Sequence, residues 1–216
     1  MYKHILFDLD GTLTDPAAGI IKSLRFALAK MGVQEVDEDK YRQFIGPPLK
    51  DSFRTIFSFS EEQIDEVIRI YREHHVVSGL YENKVFPGVR ELLHDLHAAG
   101  KTLYVATTKM TGFAELILSH FELANYFTNV IGGHPDGTRT AKVEIIAEIL
   151  QNIPQSEYKE TVMIGDRMFD LVGANAHGLD TIAVTYGYGK EEELRAQKPT
   201  HLAHSVAELG VLLGIA

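Results

Sequence analysis

Ile5-Leu6-Phe7-Asp8-Leu9-Asp10-Gly11-Thr12-Leu13-Thr14-Asp15 is an apolar strand that runs straight into two carboxylates and is then broken by a glycine. A continuous apolar run closed by a turn residue reads as a strand buried on both faces, the kind found in parallel sheets covered by helices. Its acids then fall at the carboxyl edge of the sheet, where α/β proteins of this sort hold their ligands. On an extended segment, side chains at i and i+2 share a face, so Asp8 and Asp10 can address one atom together.

Working outward, short β-like runs alternate with helical patterns, which predicts an α/β fold with a Rossmann-like parallel sheet and helices on both faces. The expected strands are Lys3 to Asp8, Thr102 to Thr107, Asn129 to Gly132, Thr161 to Gly165 and Asp180 to Val184. Roughly ninety residues separate the first two, far more than the dozen or so that a crossover helix needs. A second structure is therefore inserted there. Asp15 is placed to cap a helix over Ala17 to Met31, with Pro16 at its first position and Gly32 at its end. Ser60-Glu61-Glu62-Gln63 is a capping box for a helix to about His75, whose apolar stripe is Ile64, Val67, Ile68 and Tyr71. Shorter helical patterns cover Asp39 to Phe44 and Leu49 to Phe57, divided by Gly46-Pro47-Pro48. Residues 16–83 are thus expected to form an all-helical cap domain, and residues 1–15 with 84–216 the catalytic core. Pro87-Gly88 reopens the core with a helix ending at Gly100.

The 216 residues suffice for a full core and one modest insertion. A formal charge of −9, from 30 acids against 21 bases, disfavours nucleic acid polymers and anionic membrane surfaces as partners. An anionic substrate must be captured locally. No apolar run approaches the ~20 residues that span a bilayer, and Met1-Tyr2-Lys3-His4 enters a strand rather than the apolar run of a signal peptide. Cysteine is absent, which removes disulfide and thiol chemistry. A soluble, cytoplasmic protein is expected.

Other strand ends carry polar residues too. Leu103-Tyr104-Val105-Ala106-Thr107-Thr108-Lys109 finishes an apolar strand in hydroxyls, and Thr161-Val162-Met163-Ile164-Gly165-Asp166-Arg167-Met168-Phe169-Asp170 finishes another with two acids four apart. Between them Lys142 opens a helix, where a cation gains nothing from the helix dipole, and an external anion is the natural reason for it. Each residue has a plainer competitor: an Asx turn for Asp8 and Asp10, a helix cap for Thr107 and Asp170, a solvated surface for Lys142. Arg167 is expected to orient neighbouring loops. His74-His75 and His94 with His97 have no cysteine or acid cluster to make a zinc site with them. Gly187-Tyr188-Gly189 is loop geometry rather than a dinucleotide fingerprint.

Taken together, the motifs resemble those of the haloacid dehalogenase-like (HAD) hydrolases. Asp8-Leu9-Asp10-Gly11-Thr12 resembles that superfamily's nucleophile motif, Thr107 its strand-end Ser/Thr, Lys142 its phosphate lysine, and Gly165-Asp166 through Asp170 its metal motif. The helical insertion after the first motif resembles the cap of the subgroup that holds phosphoglycolate phosphatases, pyrophosphatases, 5′-nucleotidase-like enzymes and β-phosphoglucomutases. Phe44-Ile45-Gly46-Pro47-Pro48-Leu49, Gly165-Asp166-Arg167 and Tyr186-Gly187-Tyr188-Gly189 are most similar to its phosphoglycolate phosphatase and nucleotidase-like members. Two departures concern substrate contacts: Thr108 stands where close relatives often have Asn, and Gly132-Gly133-His134-Pro135-Asp136 replaces their small-acidic pattern.

The resemblance implies a phosphatase of small phosphorylated metabolites, such as phosphoglycolate or a nucleoside monophosphate. A carboxylate is ionised at neutral pH, so Asp8 needs no helper base to act as a nucleophile. Its difficulty is repulsion: clustered acids ~5 Å apart repel by roughly 3 kcal/mol per pair at an effective dielectric near 20. Oxygen-only ligands favour Mg²⁺ as the relief. The expected metal residues are Asp8, Asp10 through its main-chain carbonyl, Asp166 and Asp170. Thr107, Thr108 and Lys142 are the expected phosphate-binding residues, with Asp10 the general acid and base. Lys50 and Arg54, and beside them Arg42, are candidates for a second anionic group of the substrate. Hinges are expected from Asp15 to Pro16 and from Asn83 to Phe86. The rivals are a β-phosphoglucomutase-like isomerase and a catalytically silent binding module of the same fold.

Overall fold

The structure, a computed structural model, describes residues 1–34, 37–134, 136 and 138–215. The chain divides into two compact units, Met1–Thr14 with Val85–Ala216, and Asp15–Lys84. Its strands are β1 (His4–Phe7), β2 (Thr14–Asp15), β3 (Lys84–Val85), β4 (Thr102–Met110), β5 (Phe127–Gly133), β6 (Thr161–Gly165), β7 (Asp180–Val184) and β8 (His201–Ala203). Helices α1 (Ala17–Lys30), α2 (Glu38–Arg42), α3 (Leu49–Phe57) and α4 (Glu61–His74) belong to the inserted unit. The larger unit carries α5 (Val89–Ala98), α6 (Thr111–His120), α7 (Lys142–Leu150), α8 (Met168–Asn175), α9 (Glu191–Ala196) and α10 (Val206–Leu212).

Six strands form one parallel sheet in the order β5-β4-β1-β6-β7-β8, the α/β architecture expected. Phe7 lies opposite Val105 of β4 and Ile164 of β6, and every residue of β1 and β6 is buried. Such strands cannot alternate apolar with polar residues, which is why they are legible as unbroken apolar runs. The chain lays β4 and β5 to one side of β1, then returns to place β6, β7 and β8 on the other. The winding direction therefore reverses between β1 and β6, and a crevice opens at their carboxyl ends. On one face Leu6, Tyr104 and Met163 pack against Ile145, Ile146 and Ile149 of α7. Each such fully buried side chain contributes ~1.5–3 kcal/mol.

The strand expectations hold in place and differ in length. β4 runs on to Met110, past the expected Thr107, and β5 begins at Phe127 rather than Asn129. β8 was not anticipated, because three residues at a sheet edge offer no apolar run to detect.

In the inserted unit the capping box of α4 is complete: Ser60 Oγ accepts from Gln63 N at 3.3 Å, and Gln63 Oε1 accepts from Ser60 N at 3.0 Å. Pro16 is the residue before α1 rather than its first, while Asp15 Oδ1 still accepts from Ala17 N at 3.1 Å. A π turn, His75–Gly79, continues α4 where a simple end was expected. There Ser23 Oγ of α1 lies 3.1 Å from His74 Nδ1 and 3.2 Å from His75 Nδ1, a tertiary contact that periodicity does not encode. No helix among the described residues is long and apolar enough to cross a membrane.

Candidate active site

Asp8 is held at the carboxyl edge by the ladder itself, since its backbone N still donates to Ile164 O of β6 at 2.9 Å. Its Oδ1 accepts from Leu9 N at 2.7 Å. The chain then turns sharply: Leu13 N and Thr14 N both donate to Leu9 O, at 2.9 and 3.0 Å. Gly11 takes a φ of +90°, a left-handed conformation costly to any residue with a Cβ. This turn carries Asp10 back to the edge that Asp8 occupies.

Lys142 is the first residue of α7, and it is buried rather than solvated. Its Nζ donates to Ala106 O at 2.7 Å and lies 2.8 Å from Asp8 Oδ1 and 2.5 Å from Asp170 Oδ1. Burial by itself would push its pKa down, but the carboxylates of Asp170 and Asp8 outweigh burial and hold it above the usual lysine value. The contact with Asp170 Oδ1 is an ion pair that misses hydrogen-bond alignment, which leaves that oxygen without a hydrogen bond. Asp170 also serves the helix-capping role open to it, because its Oδ2 accepts from Arg167 N at 3.0 Å. Thr107 is buried, with its Oγ1 accepting from Lys109 N at 3.2 Å, and Thr108 beside it is half-buried.

Asp166, just past the end of β6, is fully buried. Its Oδ1 accepts from Thr12 Oγ1 at 3.3 Å, its Oδ2 from Tyr188 N at 2.7 Å. Carboxylate oxygens of Asp8, Asp166 and Asp170 all lie within 4.8 Å of one another, the one such donor cluster among the described residues. Burial, then the charges of Asp8 and Asp170, push the Asp166 carboxyl well above its ordinary range. Asp170 and Asp10 are also raised, in both cases by burial first, with the neighbouring lysines pulling the other way. Asp8, Asp10, Asp166 and Asp170 face two ammoniums, Lys142 and Lys109, so full ionisation leaves two negative charges in excess. All the donors are hard oxygens. The cluster of Asp8, Asp166 and Asp170 fits a divalent cation of the Mg²⁺ type.

One neighbour went unread in the sequence. Lys109 Nζ sits 2.7 Å from Asp10 Oδ2, and its side chain is 9% exposed. Its place two residues beyond Thr107, in the polar run that closes the strand, was the available signal. Tyr186 was missed as a support: its hydroxyl donates to Thr12 O at 3.1 Å, and burial raises its pKa.

The candidates in the inserted unit lie apart from this cluster in the chain, and two of them are already paired. Lys50 Nζ lies 3.3 Å from both Glu61 and Asp65, and Arg54 reaches Asp51 at 3.0 Å and Glu61 at 2.8 Å. Arg42 is exposed. These pairs are solvent-exposed and worth little individually.

The family model for haloacid dehalogenase-like hydrolases matches residues 5–184. A 5′-nucleotidase of Pseudomonas aeruginosa is 47% identical over 212 residues, covering 98% of this chain and 96% of that protein. The tyrosine-protein kinase PtkA of Mycobacterium tuberculosis is 38% identical over 214 residues, covering 98% of this chain and 72% of that one. Among solved structures, a predicted phosphatase from Clostridium acetobutylicum superposes with a TM-score of 0.93 at 41% identity, over 99% of this chain and 98% of its own.

Proposed function

Since the chain belongs to the haloacid dehalogenase-like hydrolase family, we propose that it is a Mg²⁺-dependent phosphatase that hydrolyses a small phosphorylated metabolite through a phosphoryl group carried on Asp8. The carrying observation is the contact of Lys142 Nζ with Asp8 Oδ1 at 2.8 Å inside a buried acidic cluster. An ammonium there orients the attacking carboxylate and stands ready for the phosphoryl oxygens. The similarity to a 5′-nucleotidase puts nucleoside monophosphates first among substrates, with phosphoglycolate next. The helical unit is assigned as the cap that encloses the substrate.

An oxygen of Asp8 attacks phosphorus in line while the bond from phosphorus to the leaving oxygen breaks, and Asp10 gives its proton to that oxygen. Asp10 then takes a proton from water, which attacks the phosphorus and releases Asp8. Burial raises the Asp10 carboxyl, which favours the protonated form that the first step needs. The Lys142 ammonium and the Thr107 hydroxyl hold the equatorial oxygens as charge moves between them, helped by Thr108 and the amides after Asp8. A Mg²⁺ held by Asp8, the main-chain carbonyl of Asp10 and Asp166, with Asp170 direct or through water, would supply charge neutralisation and Lewis acidity.

The test is release of inorganic phosphate from nucleoside monophosphates, phosphoglycolate, sugar phosphates and pyrophosphate, with and without Mg²⁺, in ¹⁸O-labelled water. Metal-dependent release with one label per phosphate is the expected result. Phosphate moved between substrate hydroxyls or onto a tyrosyl peptide without label uptake would replace hydrolysis by group transfer. No turnover of any compound would end the enzymatic reading.

A further inference from the structure

We infer that Lys109 is the positioning residue of the reaction: it fixes one oxygen of Asp10 and thereby dedicates the other to proton exchange with the leaving group. The inference rests on the phosphatase reading above and deepens it. Lys109 Nζ holds Asp10 Oδ2 at 2.7 Å, with the two side chains only 9% and 11% exposed. Asp10 Oδ1 is buried and has no hydrogen bond among the described residues. A buried carboxylate oxygen left without a donor is costly, so a ligand that brings a hydroxyl or a bridging oxygen to it is the natural complement. A carboxyl free to rotate would present either oxygen at random, whereas a clamped one offers a single oxygen in one direction.

The strand is shaped to make this clamp. The pairing of β4 with β5 keeps one register from Tyr104 to Ala106 and resumes only at Met110 opposite Gly133, so Thr107, Thr108 and Lys109 lie in an irregular stretch. Such irregularities re-aim side chains at the ends of strands. Gly132 of β5 lets it happen, because a Cβ there would meet Lys109 O at 2.2 Å. Lys109 N donates to Thr107 Oγ1 at 3.2 Å, which ties the clamp to the strand-end hydroxyl. Two lysines thus divide the acids: Lys142 goes to Asp8 and Asp170, and Lys109 to Asp10.

A clamp on the proton donor has a signature that a phosphate-binding lysine lacks. Leaving groups that depart without a proton do not need Asp10 in the first step, and kcat/KM reports only through that step. Lys109→Met, assayed with Mg²⁺, should lower kcat/KM for an alkyl phosphate about a hundredfold, in the range of general-acid contributions. For 2,4-dinitrophenyl phosphate it should stay within about threefold of wild type. Lys109→Gln, which can still donate to Asp10 Oδ2, should fall between, and it replaces the methionine variant if circular dichroism shows that one unfolded. Equal losses on both esters would make Lys109 a binder of the transferred group and overturn the inference, as would no loss on either. Wild-type protein that hydrolyses neither ester overturns the phosphatase reading and the inference with it, which distinguishes the two failures.

Discussion

Gly11 and Asp166 stand against each other with no room for a side chain between them: a Cβ on Gly11 would lie 2.2 Å from Asp166 Oδ2. The first motif's turn and the last motif's first acid are therefore one packing unit. Gly11→Ala should strain the +90° φ by about 1–3 kcal/mol and displace the Asp166 carboxylate. Mg²⁺ affinity should fall roughly 10–100-fold, as it does when a group orienting a metal ligand is lost. Gly112→Ala is the control, since nothing lies within 4 Å of its added carbon. Metal titration of both variants decides the matter, and equal affinities would refute the packing account.

Asp8→Asn keeps the shape of the side chain and removes its nucleophilicity. The variant should retain the fold, with Lys142 still bound to Ala106 O and Asp170. Turnover should drop at least about a thousandfold, in line with the loss of other enzymatic nucleophiles. A near-wild-type rate would falsify the assignment of Asp8.

Lys142→Met leaves Asp8 and Asp170 buried without their shared cation. Removing one partner from a buried ion pair typically costs about 3–5 kcal/mol, and urea denaturation at neutral pH should show a loss of that order. Because the folded state raises the Lys142 pKa, its stabilising effect is complete below the unfolded value near 10.4 and is lost only as pH climbs through the folded value. The stability gap between wild type and variant should therefore stay constant from pH 7 to 9 and narrow above that. A gap already closing near pH 8 would contradict it.

Metal and pH should be linked with a definite sign. Asp10, Asp166 and Asp170 are all raised, so these groups favour the folded state below the unfolded value near 4. That contribution is lost as pH rises through their folded values, when the carboxylates ionise and repel. A divalent cation competes with protons for the same oxygens. The rise in Tm produced by excess Mg²⁺ should be larger at pH 7.5 than at pH 5, by at least the 2–4 °C that ~1 kcal/mol gives in a chain of this size. Thermal melts with Mg²⁺ and with EDTA at both pH values measure it; an equal rise would place the ion elsewhere.

The sequence by itself determined the layout. Buried strands in a parallel sheet are predominantly apolar, so β1, β6 and β7 could be placed from their apolar runs, and the acids after β1 and β6 stood out against them. The capping box of α4 and the extent of α3 were legible for the same local reason. What only the tertiary structure decided was pairing. Lys142 lies 134 positions after Asp8 and 28 before Asp170, and nothing local states that one ammonium serves both. The clamp of Lys109 on Asp10 depends on a break in the β4–β5 ladder that a glycine of the neighbouring strand permits. The π turn after α4 likewise meets Ser23 of α1, a residue 52 positions before His75. Periodicity records which face a residue turns inward, but the charge that waits there comes from another part of the chain.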